Sequence, residues 1–78
     1  MIGKAIKYLR TNKNYKQDEL AKKLGIARTT LSGYELETRQ TTFDTMEKIA
    51  DLCGYDVYFI NRQDNTKFKL EDLKRKDI

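Results

Sequence analysis

Residues 16–35 read KQDELAKKLGIARTTLSGYE, and the spacing inside this stretch decides the fold. Counting from Gln17, apolar residues stand at the fourth, eighth, tenth, fifteenth and eighteenth places: Leu20, Leu24, Ile26, Leu31 and Tyr34. Alanine holds the fifth place and glycine the ninth. Lys16 to Leu24 reads as a helix with Leu20, Ala21 and Leu24 on one side, and Gly25 ends it, because left-handed backbone costs glycine nothing. Residues 27–35 follow as a third short helix that leaves most of its surface to solvent. Two helices joined so tightly that one lies across the other need a small side chain where they touch. Ala21 supplies it, Gly25 lets the chain reverse within a few residues, and Ile26 plugs the turn into the core.

Working outward, Ile2, Ala5, Ile6 and Leu9 recur at helical spacing with Lys4, Lys7 and Arg10 between them, so residues 2–11 are expected to form an amphipathic first helix. TNKN breaks it. On the other side, Thr42 or Thr41 can cap a fourth helix whose apolar stripe is Phe43, Met46, Ile49, Ala50 and Cys53, closed by Gly54. The period then changes to alternation, with Tyr55, Val57 and Phe59 facing one way and Asp56, Tyr58 and Ile60 the other, so YDVYFI (55–60) reads as a strand. QDNT (63–66) is turn chemistry, and KFKL (67–70) could close a hairpin; LEDLKRK could equally be a final helical turn or a frayed basic tail. The expected fold class is mainly α, four to five helices over residues 1–54 with a C-terminal strand or hairpin extension over 55–78.

Composition limits what such a domain can do. At 78 residues, the chain buries only about 60% of its unfolded surface, which leaves little room for a deep catalytic pocket. With no histidine, one serine, one cysteine and no phosphate loop, nucleophile and base combinations are few, and neither an enzyme, a metal site nor a cofactor is expected. No apolar run approaches the roughly 18 residues of a membrane span, and MIGKAIKYLR lacks a secretory apolar stretch, so a cytosolic protein is expected. Cys53, on the apolar stripe of the fourth helix, reads as core.

The net charge of +4 hides a gradient. Residues 1–41 carry nine basic and four acidic side chains (+5), residues 42–60 one and four (−3), and residues 61–78 six and four (+2). A positive field over the opening stretch fits a polyanion such as nucleic acid, and by charge alone fits a solvated face as well.

The motif of residues 16–35, with the amphipathic helix before it, the Tyr34-Glu35 pair and FDTMEKIADLCG after it, resembles the helix-turn-helix of the phage repressor and Cro-type family over roughly residues 4–54. The resemblance implies that the third helix enters the major groove while the second spans the sugar-phosphate backbone. It places Gln17, Arg28, Thr29 and Thr30 where the family usually contacts DNA. Arg28, able to donate two parallel hydrogen bonds to guanine, leads the base-reading set, with Thr29, Thr30, Ser32 and Gly33 along the same face. Gln17, Lys16, Arg39 and Gln40 are candidates for phosphate. Arg10 and Glu35 are implied as a partly buried ion pair between the first and third helices, with Arg10 also a candidate for phosphate. Three departures stand out: Lys16 and Ala27 hold cap positions usually given to Ser or Thr, Glu37 replaces a frequent glycine, and Thr41 a frequent proline.

The expected function is a sequence-specific regulator of transcription, most simply a repressor that binds double-stranded DNA as a homodimer on a palindromic operator. Tyr55, Val57, Tyr58, Phe59 and Ile60 are the dimerisation candidates, as part of an intersubunit sheet; pairing within one chain against residues 66–70 is the alternative. Other readings are an antitoxin that also binds a toxin protein through residues 61–78, a restriction-modification controller, and a protein-interaction module without DNA affinity.

Overall fold

The computed structural model describes residues 1–74. Four helices, α1 (Ile2–Asn12), α2 (Gln17–Leu24), α3 (Arg28–Leu36) and α4 (Phe43–Leu52), precede a hairpin of β1 (Phe59–Ile60) and β2 (Lys67–Phe68), and a last turn, α5 (Leu70–Leu73). Each apolar stripe of the four helices converges on one small core. Ile6 of α1, Leu20 of α2, Leu31 of α3 and Ile49 of α4 are fully buried, and Leu9, Ala21, Ala50 and Cys53 complete the cluster. Burying each large aliphatic contributes about 1.5–3 kcal/mol, so one residue per helix ties the four together. Tyr15, Leu24, Ile26, Tyr34 and Met46 seal the edges of that cluster.

The turn after α2 is closed as its residues require. Gly25 takes φ 72° and ψ 30°, its N–H donates to Lys22 O at 3.1 Å, and Ile26 N–H donates to Ala21 O at 3.0 Å. An added Cβ at Gly25 would meet nothing within 4 Å, so glycine is needed there for its left-handed backbone and not for space. Glu37 takes the same conformation after α3, φ 61°, where the family often has glycine. Gly3 has the opposite reason: a Cβ on it would strike the carbonyl oxygens of Glu35 and Tyr34, so its bare Cα lets the start of α1 lie against the end of α3. Nothing in the periodicity of α1 singles that glycine out.

The cap departures resolve differently at each helix. At α2, Lys16 N–H donates to Glu19 Oε1 at 2.9 Å and Glu19 N–H to Asp18 Oδ1 at 3.0 Å, so first-turn carboxylates do part of a cap's work and also complement the helix dipole. At α3 no side chain caps the helix and no acid stands in its first turn. Thr42 caps α4 by accepting from Thr45 N–H at 3.1 Å. The Thr41 hydroxyl is enclosed without a hydrogen-bond partner, an environment that suits the apolar ring usual at that position.

The strand expected over 55–60 is much shorter. Only Phe59 and Ile60 are in a strand, antiparallel to Phe68 and Lys67. The backbone of Tyr55 is drawn to α4, its N–H donating to Ala50 O at 2.8 Å, and Gly54 at φ 85° turns the chain. Val57 packs on the core, and Asp56 pairs with Lys69 Nζ at 3.5 Å. Those contacts hold residues 55–58 as a connector. The hairpin and the last helical turn, posed as alternatives, are both present: KFKL is divided between β2 and the start of α5. Within the turn, Asp64 Oδ1 accepts from Thr66 N–H at 3.0 Å and Thr66 Oγ1 at 2.7 Å, and Asn65 sits at φ 63°. Phe43, expected in the core stripe of α4, is instead 41% exposed and stacks on Phe59 at 5.8 Å. The basic end of the tail, Arg75 and Lys76, lies outside the described residues.

Candidate nucleic-acid interface

Leu31 fixes the orientation of α3. Because it points straight into the core, residues two positions away on either side must point outward, roughly 160° around the helix. Arg28 and Thr29 are exposed, and Thr30 and Ser32 are half-buried on the flanks. With no side-chain cap at Ala27, the leading amides of α3 stay open beside Arg28 and Thr29, at the positive end of the helix dipole. Lys16, Arg39 and Gln40 are exposed around this face. The acids of the central segment sit elsewhere, Asp44, Glu47, Asp51 and Asp56 lining the groove between α4 and α5.

Two of the expected contact residues are placed otherwise. Arg10 is 11% exposed and faces a Glu35 that is 4% exposed. Its Nε donates to Glu35 Oε2 at 2.6 Å, its Nη2 to Glu35 Oε1 at 3.0 Å and its Nη1 to Tyr15 O at 2.9 Å. All three guanidinium nitrogens are thus committed inside the domain, which takes Arg10 out of the phosphate set and leaves the ion pair as its role. Gly33 is buried, covered by Arg39 and Thr38; the nearest atoms to a Cβ built there are Arg39 Cδ and Cγ, both at 3.0 Å, and Thr38 Oγ1 at 3.3 Å. It cannot itself meet a base.

Gln17, a phosphate candidate by resemblance, has its amide engaged within the chain. Its Nε2 donates to Glu35 Oε1 at 3.2 Å, and its Oε1 accepts from Arg28 Nη1 at 3.3 Å. The carboxylate on one side and the guanidinium on the other permit only this orientation of the amide. One polar chain therefore runs from Arg10 through Glu35 and Gln17 to Arg28, crossing α1, α3 and α2 before it returns to the exposed start of α3. Residue spacing carries no signal for this connection, since its members are 25, 18 and 11 positions apart.

Comparison with known proteins places this geometry. A helix-turn-helix family model matches residues 6–60. The chain belongs to the helix-turn-helix family. Among curated relatives, it is 33% identical over 78 residues to the HTH-type transcriptional regulator ImmR of Bacillus subtilis strain 168, which covers 99% of this chain and 61% of ImmR. It is 29% identical over 73 residues to YonR, an uncharacterized HTH-type transcriptional regulator derived from the SPbeta prophage of the same organism, covering 94% of this chain and 68% of YonR. The chain spans about two thirds of the length of these relatives. Among solved structures, SinR, described as the master regulator for biofilm formation and bound to DNA, superposes with a TM-score of 0.65 at 33% identity over 72% of this chain and 90% of that one. The family expectation and the mainly helical fold class are thereby established, with the matched stretch running over residues 6–60.

Proposed function

We propose that this chain is a cytoplasmic, sequence-specific DNA-binding repressor that works as a homodimer and acts by occupying its operator, not by catalysis. The observation that carries the reading is the outward turn of Arg28 and Thr29 on a helix whose Leu31 is fully buried. Inserted in the major groove, such a helix sets Arg28 against a guanine edge and Thr29 against a neighbouring base, while Lys16 and Gln40 flank the sugar-phosphate backbone. Relatives that are regulators, and a SinR neighbour solved with DNA, support it.

A nine-residue helix spans few base pairs, so specificity calls for two copies on half-sites about 34 Å apart. The hairpin offers the surface. Phe43, Phe59 and Phe68 stack in series at 5.8 Å and 5.3 Å yet remain 41%, 45% and 40% exposed. They leave a partly uncovered aromatic surface on each chain. Tyr55, Tyr58 and Ile60 are also exposed, but Ile60 alternates to the hairpin face opposite Phe59 and Phe68, where Lys67 covers Tyr58, and Val57 packs on the chain's own core. The hairpin already pairs β1 with β2, so the second copy meets the aromatic face and not a bare six-residue strand.

The deciding experiment is selection from a pool of random duplexes followed by a salt titration of the winner. Enriched sites should be palindromic, and log affinity should fall against log salt by roughly 0.9 for each phosphate neutralised. A pool that yields no consensus, with binding indifferent to salt, would refute DNA recognition.

A further inference from the structure

Gly33 stands four residues after Thr29 and two after Leu31, so helical geometry assigns it to the outward stripe that Thr29 occupies. It is nevertheless buried, and what buries it comes from the loop beyond the helix and not from the core. The Gly33 carbonyl gathers that loop: it accepts from Thr38 N–H at 3.0 Å, from Arg39 N–H at 3.2 Å and from Thr38 Oγ1 at 3.4 Å. The loop can fold back this way because Glu37 adopts a left-handed conformation. Its consequence is that the aliphatic stem of Arg39 lies across the bare Cα of Gly33, in the space a side chain at 33 would fill. Arg39 as a whole remains exposed, and no ion pair among the described residues holds its guanidinium.

We infer that Arg39 is a base-reading residue: seated on Gly33, it delivers a guanidinium to the outward stripe of α3 in place of the side chain that position 33 lacks. The inference rests on the DNA-binding reading above and deepens it. Gly33 is then a positioning residue, acting through Arg39, and the bidentate donor pair suits guanine O6 and N7 at a base pair beyond the one faced by Thr29. An arginine fixed along its stem loses less freedom when it meets a base than one free in solution. A phosphate clamp needs no such seat, since a flexible side chain finds a backbone charge from many positions.

The test uses the full chain and a pool of random-sequence duplexes, with wild type, Arg39→Ala and Gly33→Ala selected in parallel. Arg39→Ala should relax one position of each half-site, with a loss of about 5- to 150-fold in preference there, while other positions keep theirs. Gly33→Ala should relax the same position, because the new methyl displaces the stem at 3.0 Å; that displaced group is a flexible side chain, so thermal unfolding should change little. If Gly33→Ala does not fold, Arg39→Ala decides alone. Uniform weakening on every sequence with a salt slope reduced by about one would show that Arg39 holds phosphate, and would overturn the inference while leaving DNA recognition intact. No change at all for Arg39→Ala would overturn it equally. A wild-type pool without a consensus would instead remove the parent reading.

Discussion

Arg28 is restrained in the free protein by a neutral acceptor, Gln17 Oε1 at 3.3 Å, and not by a carboxylate. A neutral hydrogen bond nets about 0.5–1.5 kcal/mol, enough to bias the side chain yet easily exchanged for a guanine edge. Arg28→Ala should therefore cost about 1–3 kcal/mol at one base pair, measured as relaxed preference in competition binding, with other positions unaffected. Further along the chain the energies are larger. Glu35 accepts from both Arg10 and Gln17 while nearly enclosed, so Glu35→Ala strands a buried guanidinium and should destabilise the domain by about 3–5 kcal/mol in urea titration. Replacing both members, Arg10→Met with Glu35→Leu, should recover most of that loss, because no unpaired charge remains.

Elements differ in how well their ends are satisfied. The unassisted start of α3 has Ala27 already extended, φ −72° and ψ 148°, and no acid in its first turn. Ala27→Ser should accept from the open amides and raise stability by about 0.5–2 kcal/mol, seen as a higher urea midpoint at an unchanged slope. An unchanged midpoint would mean that the hydroxyl does not cap. The hairpin turn depends instead on ionisation. Hydrogen bonds from Thr66 N–H and Oγ1 hold the Asp64 carboxyl below the ordinary aspartate range. Since the folded value is the lower one, the ionised form supports the turn at neutral pH, and that support begins to fade as the pH falls below the ordinary aspartate value and is lost as it drops through the depressed one. The Thr66 amide resonance should accordingly titrate in acid below where a free aspartate does, and Asp64→Asn should abolish that titration.

At the scale of the whole molecule, a connected aromatic surface among the described residues remains in water. One chain buries a core of four large aliphatics, while three stacked phenylalanines between α4 and the hairpin stay two-fifths exposed. Phe59→Ser with Phe68→Ser should shift sedimentation from dimer to monomer and weaken operator binding, while leaving the α1–α4 domain folded by circular dichroism. A wild-type monomer at micromolar concentration would remove this face as the interface. Cys53 lies inside the four-helix core, where burial pushes its thiol up and limits its reactivity.

Read alone, the sequence determined α1 to α4, the glycine turn after α2 and a threonine cap on α4, which the structure assigns to Thr42 over Thr41. Each follows from periodicity, turn chemistry or one adjacent residue, and such local preferences survive folding when they agree with one another. Residues 55–60 show where that reasoning ends: their alternation is that of a strand, but the helix end at Ala50 and the core at Val57 claim the first half. Arg10 turns inward because Glu35 and Tyr15 O meet it there, and Gly33 is covered because Glu37 folds the loop back upon it. These outcomes were decided by the tertiary structure, since a side chain's partner across 25 residues is set by how helices pack and not by what stands beside it in the chain.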